Sequence, residues 1–273
     1  MRVALAQIAV RPEKAENLER IRALTAEAAR EGAALAVFPE AAMAPFGGPG
    51  DSLGDVAEPL DGPFASALSG LARQHRVALT CGLFEPAPGR RVLNTVVTYG
   101  PEGGLLGAYR KVHLYDAFGF LESDKIEPGA GELVTFALGG FSFGVMTCYD
   151  VRFPETARLL VDHGADVLVL PAAWVPGPLK EEHWEVLVRA RAIENTVYVL
   201  AADATGVDAV GSSLVVDPMG VAVARAGEAE TLLLADLSAE RIAAARRRNP
   251  SLQNRRYRVE PDPKPARTLT LSG

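Results

Sequence analysis

The chain has 273 residues, 48% hydrophobic and 23% charged, enough for one large domain with a sizeable core. Its 28 Lys and Arg against 34 Asp and Glu give a formal charge of −6, which argues against a general binder of nucleic acid or of an anionic membrane. No apolar run is long enough for a transmembrane helix, the first residues lack the apolar core of a signal peptide, and Cys81 and Cys148 are expected as free thiols in a reducing, cytoplasmic compartment.

In chain order, residues 3–8 read as a strand. Residues 14–31 read as a helix with Leu18, Ile21, Leu24, Thr25 and Ala28 on one apolar face and Gly32 as its stop. Residues 34–38 are a short continuous apolar run, the pattern of a strand covered on both faces. Asp61-Gly62-Pro63 opens a second helix over 63–75; strands follow at 77–84, 92–99 and 105–110. Residues 141–146 form a strand that breaks at Thr147-Cys148-Tyr149-Asp150, after which Pro154 opens a helix through Leu159 and Leu160. A charged amphipathic helix at 181–196 precedes a strand at 197–202. A hairpin over 213–216 and 220–224, a last strand at 232–237 and a last helix at 239–248 complete the order. One domain is expected over 1–248. The polar, basic, Pro-rich stretch 249–273 is expected as an extension that frays or wraps on a neighbouring subunit.

Gly32-Ala33-Ala34-Leu35-Ala36-Val37-Phe38-Pro39 is echoed by Gly164-Ala165-Asp166-Val167-Leu168-Val169-Leu170-Pro171. This reads as two strand–helix–strand halves related by an internal pseudo-symmetry, although such segments also recur as ordinary helix-to-strand grammar. Repeated β–α–β units with hairpins imply an α/β fold of two sheets with helices outside. The chemistry is not repeated, since Glu40 in the first half corresponds to Ala172 in the second.

Three apolar runs each end on a reactive side chain: Phe38-Pro39-Glu40, Tyr109-Arg110-Lys111, and Met146-Thr147-Cys148. Pockets of α/β proteins form at such strand ends. A thiol, a base and a cation are the minimal set for cysteine-based acyl transfer, which points to a hydrolase of carbon–nitrogen bonds. Taken singly, each residue has a plainer reading: Cys148 as a small hydrophobe, Glu40 as a helix cap, Lys111 as a solvated edge lysine. Glu122 gains interest only as a second carboxylate beside Glu40. Of His75, His113, His163 and His183, His113 stays open as a partner for Cys148. No zinc spacing and no phosphate-binding glycine loop occurs, so neither metal nor cofactor is implied.

These segments, in order along nearly the whole chain, resemble the nitrilase (carbon–nitrogen hydrolase) superfamily. The resemblance also rests on Cys148-Tyr149-Asp150-Val151-Arg152-Phe153-Pro154-Glu155, Pro171-Ala172-Ala173-Trp174, His183-Trp184-Glu185 and Arg189-Ala190-Arg191-Ala192-Ile193-Glu194-Asn195. It implies a four-layer α-β-β-α sandwich and a triad of Glu40, Lys111 and Cys148 with Glu122 as an additional carboxylate. It further implies that the Tyr149 backbone N–H helps to hold an oxyanion, and that the chain forms a homodimer or higher homo-oligomer through the helices near Cys148 and 181–196. The branch of deaminated-glutathione amidases and ω-amidases fits best, with small anionic amides as substrates; N-carbamoyl amino acid hydrolysis and a non-catalytic binder on the same fold are the alternatives. Arg152, Trp174 and His183 are expected to shape the pocket, Arg152 alternatively as an ion-pair partner of Asp150 or Glu155. Loops 116–121 and 205–210 look short, and Lys180-Glu181-Glu182 is expected to lengthen the approach to His183.

Overall fold

Both faces of the central strands are apolar because both are covered. In the computed structural model, which describes residues 1–47, 52–89 and 91–261, the first half runs β1 (Arg2–Gln7), α1 (Lys14–Arg30), β2 (Leu35–Val37), α2 (Pro63–His75), β3 (Ala78–Pro86), β4 (Val92–Tyr99) and β5 (Leu105–Arg110). A small hairpin, β6 (Asp116–Ala117) and β7 (Phe120–Leu121), leads to the second half. That half runs β8 (Val134–Leu138), β9 (Phe141–Val145), α3 (Pro154–Asp162), β10 (Val167–Ala172), α4 (Lys180–Asn195), β11 (Tyr198–Asp203), β12 (Leu214–Val216) and β13 (Ala222–Arg225). The last elements are β14 (Thr231–Asp236) and α5 (Ala239–Arg248).

The two six-stranded sheets have the orders β14-β1-β2-β3-β4-β5 and β8-β9-β10-β11-β12-β13. In each, three parallel strands are followed by two antiparallel ones. The pseudo-symmetry expected from the Gly-Ala echo is therefore present, with β2 and β10 in equivalent places. It is broken at one edge. The strand beside β9 is its hairpin neighbour β8, whereas β1 pairs with β14 from the far end of the chain, Arg2 opposite Asp236.

Alternation along β1 sorts its side chains. Val3 and Leu5 join Leu35, Val37, Phe143, Val145, Val167 and Val169 in the layer between the sheets. Ala4 and Ala6 face the other way, toward Ile21, Leu24, Leu68 and Leu71 of α1 and α2. On the second sheet, Leu168, Leu170 and Val199 meet Leu160, Trp184 and Val188 of α3 and α4. These three apolar layers between four structural layers define an α-β-β-α sandwich.

Most expected elements lie within two residues of their observed bounds. β8 and the β6–β7 hairpin were not expected: β8 is a half-exposed edge strand and the hairpin strands have two residues each. Lys180-Glu181-Glu182, expected to lengthen the approach to His183, is helical. It is the first turn of α4, and Trp174 Nε1–H donates to the Lys180 carbonyl at 2.8 Å. Beyond α5, Leu252 packs against the layer under α3 and α4, and Arg255 pairs with Asp162 at 2.6 Å. No helix among the described residues is long and apolar enough to cross a membrane.

Candidate active site

Four of the expected residues meet where the strand ends of both sheets converge. Glu40 follows β2 in a turn still tied to β3, with Phe38 N–H donating to the Thr80 carbonyl at 2.8 Å and Gly82 N–H to the Pro39 carbonyl at 3.1 Å. The approach is close enough to require glycine. A methyl group at Gly82 would lie 2.5 Å from the Ala41 nitrogen and 2.7 Å from Glu40 Cα. Lys111 leaves the end of β5 with its N–H donating to the Asn94 carbonyl of β4 at 2.9 Å. Glu122 opens a short 3-10 turn, and its Oε2 accepts the Tyr115 N–H at 2.6 Å.

Cys148 is the first residue of a 3-10 turn, Cys148–Arg152, and has a φ of 46°, a left-handed conformation that a non-glycine residue adopts only when its surroundings enforce it. The enforcing contacts are explicit. Thr147 and Asp150 form a capping box, and Thr147 Oγ1 donates to the Pro171 carbonyl at 2.8 Å. Asp150 Oδ2 accepts the Thr147 N–H at 2.9 Å and the Tyr109 hydroxyl of β5 at 2.7 Å. Its Oδ1 accepts His113 Nδ1–H at 2.7 Å. His113 also stacks on Phe153 at 3.8 Å. It is thus engaged in holding the turn, which closes the reading in which it pairs with Cys148.

The Lys111 ammonium is 1% exposed and lies between two carboxylates. Its Nζ donates to Glu40 Oε1 at 2.8 Å and to Glu122 Oε2 at 2.8 Å. Asn94 Nδ2 bridges the same two groups, at 2.8 Å from Glu40 and 3.2 Å from Glu122. Glu40 Oε2 accepts the Ala173 N–H at 2.9 Å, next to Ala172, its counterpart by pseudo-symmetry. Burial opposes the charge on Lys111, but Glu122 and Glu40 outweigh it and hold the ammonium well above the usual lysine range. Burial raises the Glu122 carboxyl against the pull of Lys111. The Cys148 thiol is pushed well up by burial and by the nearby Glu40 charge, so the resting group is a thiol rather than a thiolate.

The remaining expected residues form a second cluster beside the first. Arg152 lies 5.0 Å over the Trp174 ring and donates from Nη2 to His183 Nδ1 at 3.3 Å. It does not pair with Asp150, whose oxygens are filled by Tyr109, Thr147 and His113. The Tyr149 ring packs edge-on against Tyr115 at 5.1 Å. Three residues of the site escaped the sequence reading: Asn94, Lys180 and Asp203. Asn94 left a signal, an amide side chain in a strand of β-branched, aliphatic and aromatic residues. Lys180 left none, because Leu179-Lys180-Glu181-Glu182 has the composition of any exposed first helical turn.

The profile of the carbon–nitrogen hydrolase family matches residues 2–247, and the chain belongs to that family. It is 38% identical to a protein of Escherichia coli O157:H7 named deaminated glutathione amidase, over 94% of this chain and 98% of that one. It is 36% identical to an omega-amidase of Mus musculus, over 95% and 97% of the two chains. A Glu-to-Gln mutant of the amidase of Nesterenkonia sp. AN1, from the nitrilase superfamily, superposes with a TM-score of 0.80 at 29% identity, covering 94% of both chains; the structure of that mutant shows covalent addition of the acetamide moiety of fluoroacetamide at the active-site cysteine. This chain is a cysteine-dependent carbon–nitrogen hydrolase of the amidase type.

Proposed function

We propose that the chain hydrolyses a small linear amide that carries a carboxylate, such as deaminated glutathione or an ω-amide acid, through a thioester on Cys148. The observation that supports this best is the buried Lys111 ammonium between Glu40 and Glu122, beside the buried Cys148 thiol. Because the resting sulfur is protonated, Glu40 takes its proton as sulfur attacks the amide carbon. The oxyanion is met by Lys111 and by the Tyr149 N–H, which belongs to the donors that the first turn of a helix leaves free. Glu40 returns the proton to the leaving nitrogen, and the amine departs: ammonia from an ω-amide acid, cysteinylglycine from deaminated glutathione. Water, activated by Glu40 and positioned with Glu122, then releases the acid. The anionic substrate class is supported by the names of the Escherichia coli and Mus musculus relatives.

The test is release of cysteinylglycine from deaminated glutathione and of ammonia from an ω-amide acid, with Cys148→Ala as control. Release abolished by the substitution supports the proposal. Release of carbon dioxide with ammonia from an N-carbamoyl amino acid, and none from the amide, would move the chain to the carbamoylase alternative. The proposal includes self-association through α4. The outer side of this helix and the neighbouring hairpin expose Val186, Ile193, Val221 and Val223, and Arg189 ties the two by donating to the Gly220 carbonyl at 2.7 Å. A monomeric mass by light scattering would contradict that part alone.

A further inference from the structure

Lys180 is buried, at 3% exposure, and the chemistry above does not use it. Its ammonium sits in an aromatic cage, 4.2 Å from the Trp174 ring, 4.6 Å from the Tyr115 ring and 5.2 Å from the Phe118 ring, and donates to the Tyr115 hydroxyl at 3.2 Å. Arg152 approaches the same Trp174 ring at 5.0 Å, and its buried Nε–H has no acceptor. Among the described residues, neither cation has an ion-pair partner. Two nearby carboxyls do not change this. Glu181 is exposed, and Asp203 Oδ1 accepts the Trp174 N–H at 2.8 Å while burial pushes its carboxyl well above the usual range, which weakens it as a counterion.

A buried and a half-buried cation side by side without a counterion are costly, and aromatic faces offset only part of that cost. An arriving anion removes the remainder. The cage is also joined to the reaction centre through Tyr115, whose backbone N–H holds Glu122 while its ring and hydroxyl hold Lys180. We infer that Lys180 and Arg152 are the receptor for the substrate carboxylate, and that Lys180 determines specificity by selecting amides with a remote carboxylate over neutral amides of equal length. This rests on the amidase reading and adds the residue that makes the substrate anionic. Phe118, at the tip of the β6–β7 hairpin and 68% exposed, closes the cage from the solvent side.

The experiment compares succinamate and glutaramate with butanamide and pentanamide. The wild-type chain is expected to prefer the acids. In Lys180→Met the ratio of kcat/KM for acid over neutral amide should fall on the order of 10- to 100-fold, the effect of losing a charge-assisted hydrogen bond, mostly through KM. Lys180→Arg should recover most of that ratio. A proportional loss on both substrates would assign Lys180 a structural role, and a wild-type preference for neutral amides would overturn the inference while leaving the amidase reading intact. Calorimetry of glutarate with Cys148→Ala, with and without Lys180→Met, is independent of turnover. Binding that weakens by the same factor supports the receptor even if no amide is hydrolysed, and glutarate binding that is absent or indifferent to Lys180 sinks it.

Discussion

Lys111 and Lys180 are equally buried, at 1% and 3% exposure, yet their surroundings drive them in opposite directions. Lys111 has two carboxylates at 2.8 Å, and its ammonium is held well above the usual range despite burial. Lys180 has three aromatic rings and a tyrosine hydroxyl, and burial lowers it, with Arg152 adding to that against the opposing pull of Cys148, Asp203 and Glu181. Burial alone therefore does not say what a lysine does. The first has its counter-charge built into the protein, which suits the fixed oxyanion donor of the proposed mechanism. The second is left short of counter-charge, as a ligand receptor must be.

Removing the better-paired lysine should do the most damage. Lys111→Met leaves Glu40 and Glu122 facing each other without a cation. Stability is expected to fall by about 3–5 kcal/mol, the usual penalty for breaking a buried pair from one side. Amide turnover is expected to fall on the order of 10³-fold or more with the loss of an oxyanion donor. Adding Glu122→Gln to that variant should restore part of the urea midpoint and none of the activity. A single variant as stable as its parent would erase the distinction between the two lysines.

Glu122→Gln alone should have a smaller effect. The amide oxygen still accepts the Tyr115 N–H that Glu122 Oε2 now takes at 2.6 Å, and a like-charge contact with Glu40 disappears. Stability should stay within about 1 kcal/mol, while kcat falls on the order of 10²-fold through poorer placement of the hydrolytic water. Single-turnover kinetics locate the loss: slow release of the acid after a normal burst of ammonia fits this role, and an unchanged rate of both steps contradicts it.

What could be read beforehand follows the same division. Glu40, Lys111 and Cys148 were legible because each terminates an apolar run, and a charged or reactive group at the end of a buried strand stands out against its neighbours. Glu122 and the Tyr149 N–H stood out only through resemblance, since a glutamate in a glycine-containing loop carries no local mark. Lys180 was not legible. Its burial is produced by Tyr115 and Phe118, more than 60 positions away in the chain, together with Trp174. The pairing of β1 with β14 was hidden for a similar reason: local pattern marks two strands but cannot say that Arg2 meets Asp236.

The smallest expected effect separates the lysines most cleanly because it has a sign. Lys180 titrates below the usual lysine value of 10.5 in the folded chain. The unfolded chain therefore holds that proton more tightly, and the charged side chain opposes folding at every pH below its folded pKa. The penalty fades as pH rises through the interval up to 10.5, where the unfolded chain loses the proton as well. Lys180→Met should accordingly be more stable than the parent near neutral pH, by about 1 kcal/mol, and the gain should shrink toward zero as pH approaches the upper end of that interval. Lys111 has the opposite sign: its folded value lies above 10.5, so its contribution persists through the whole range and is lost only at still higher pH. Urea midpoints of the parent and Lys180→Met, taken from neutral pH upward, measure the difference directly. A gain independent of pH would trace to packing rather than charge. Saturating glutarate should reverse the order at neutral pH, because an anion that binds the parent more tightly stabilises it more than the variant.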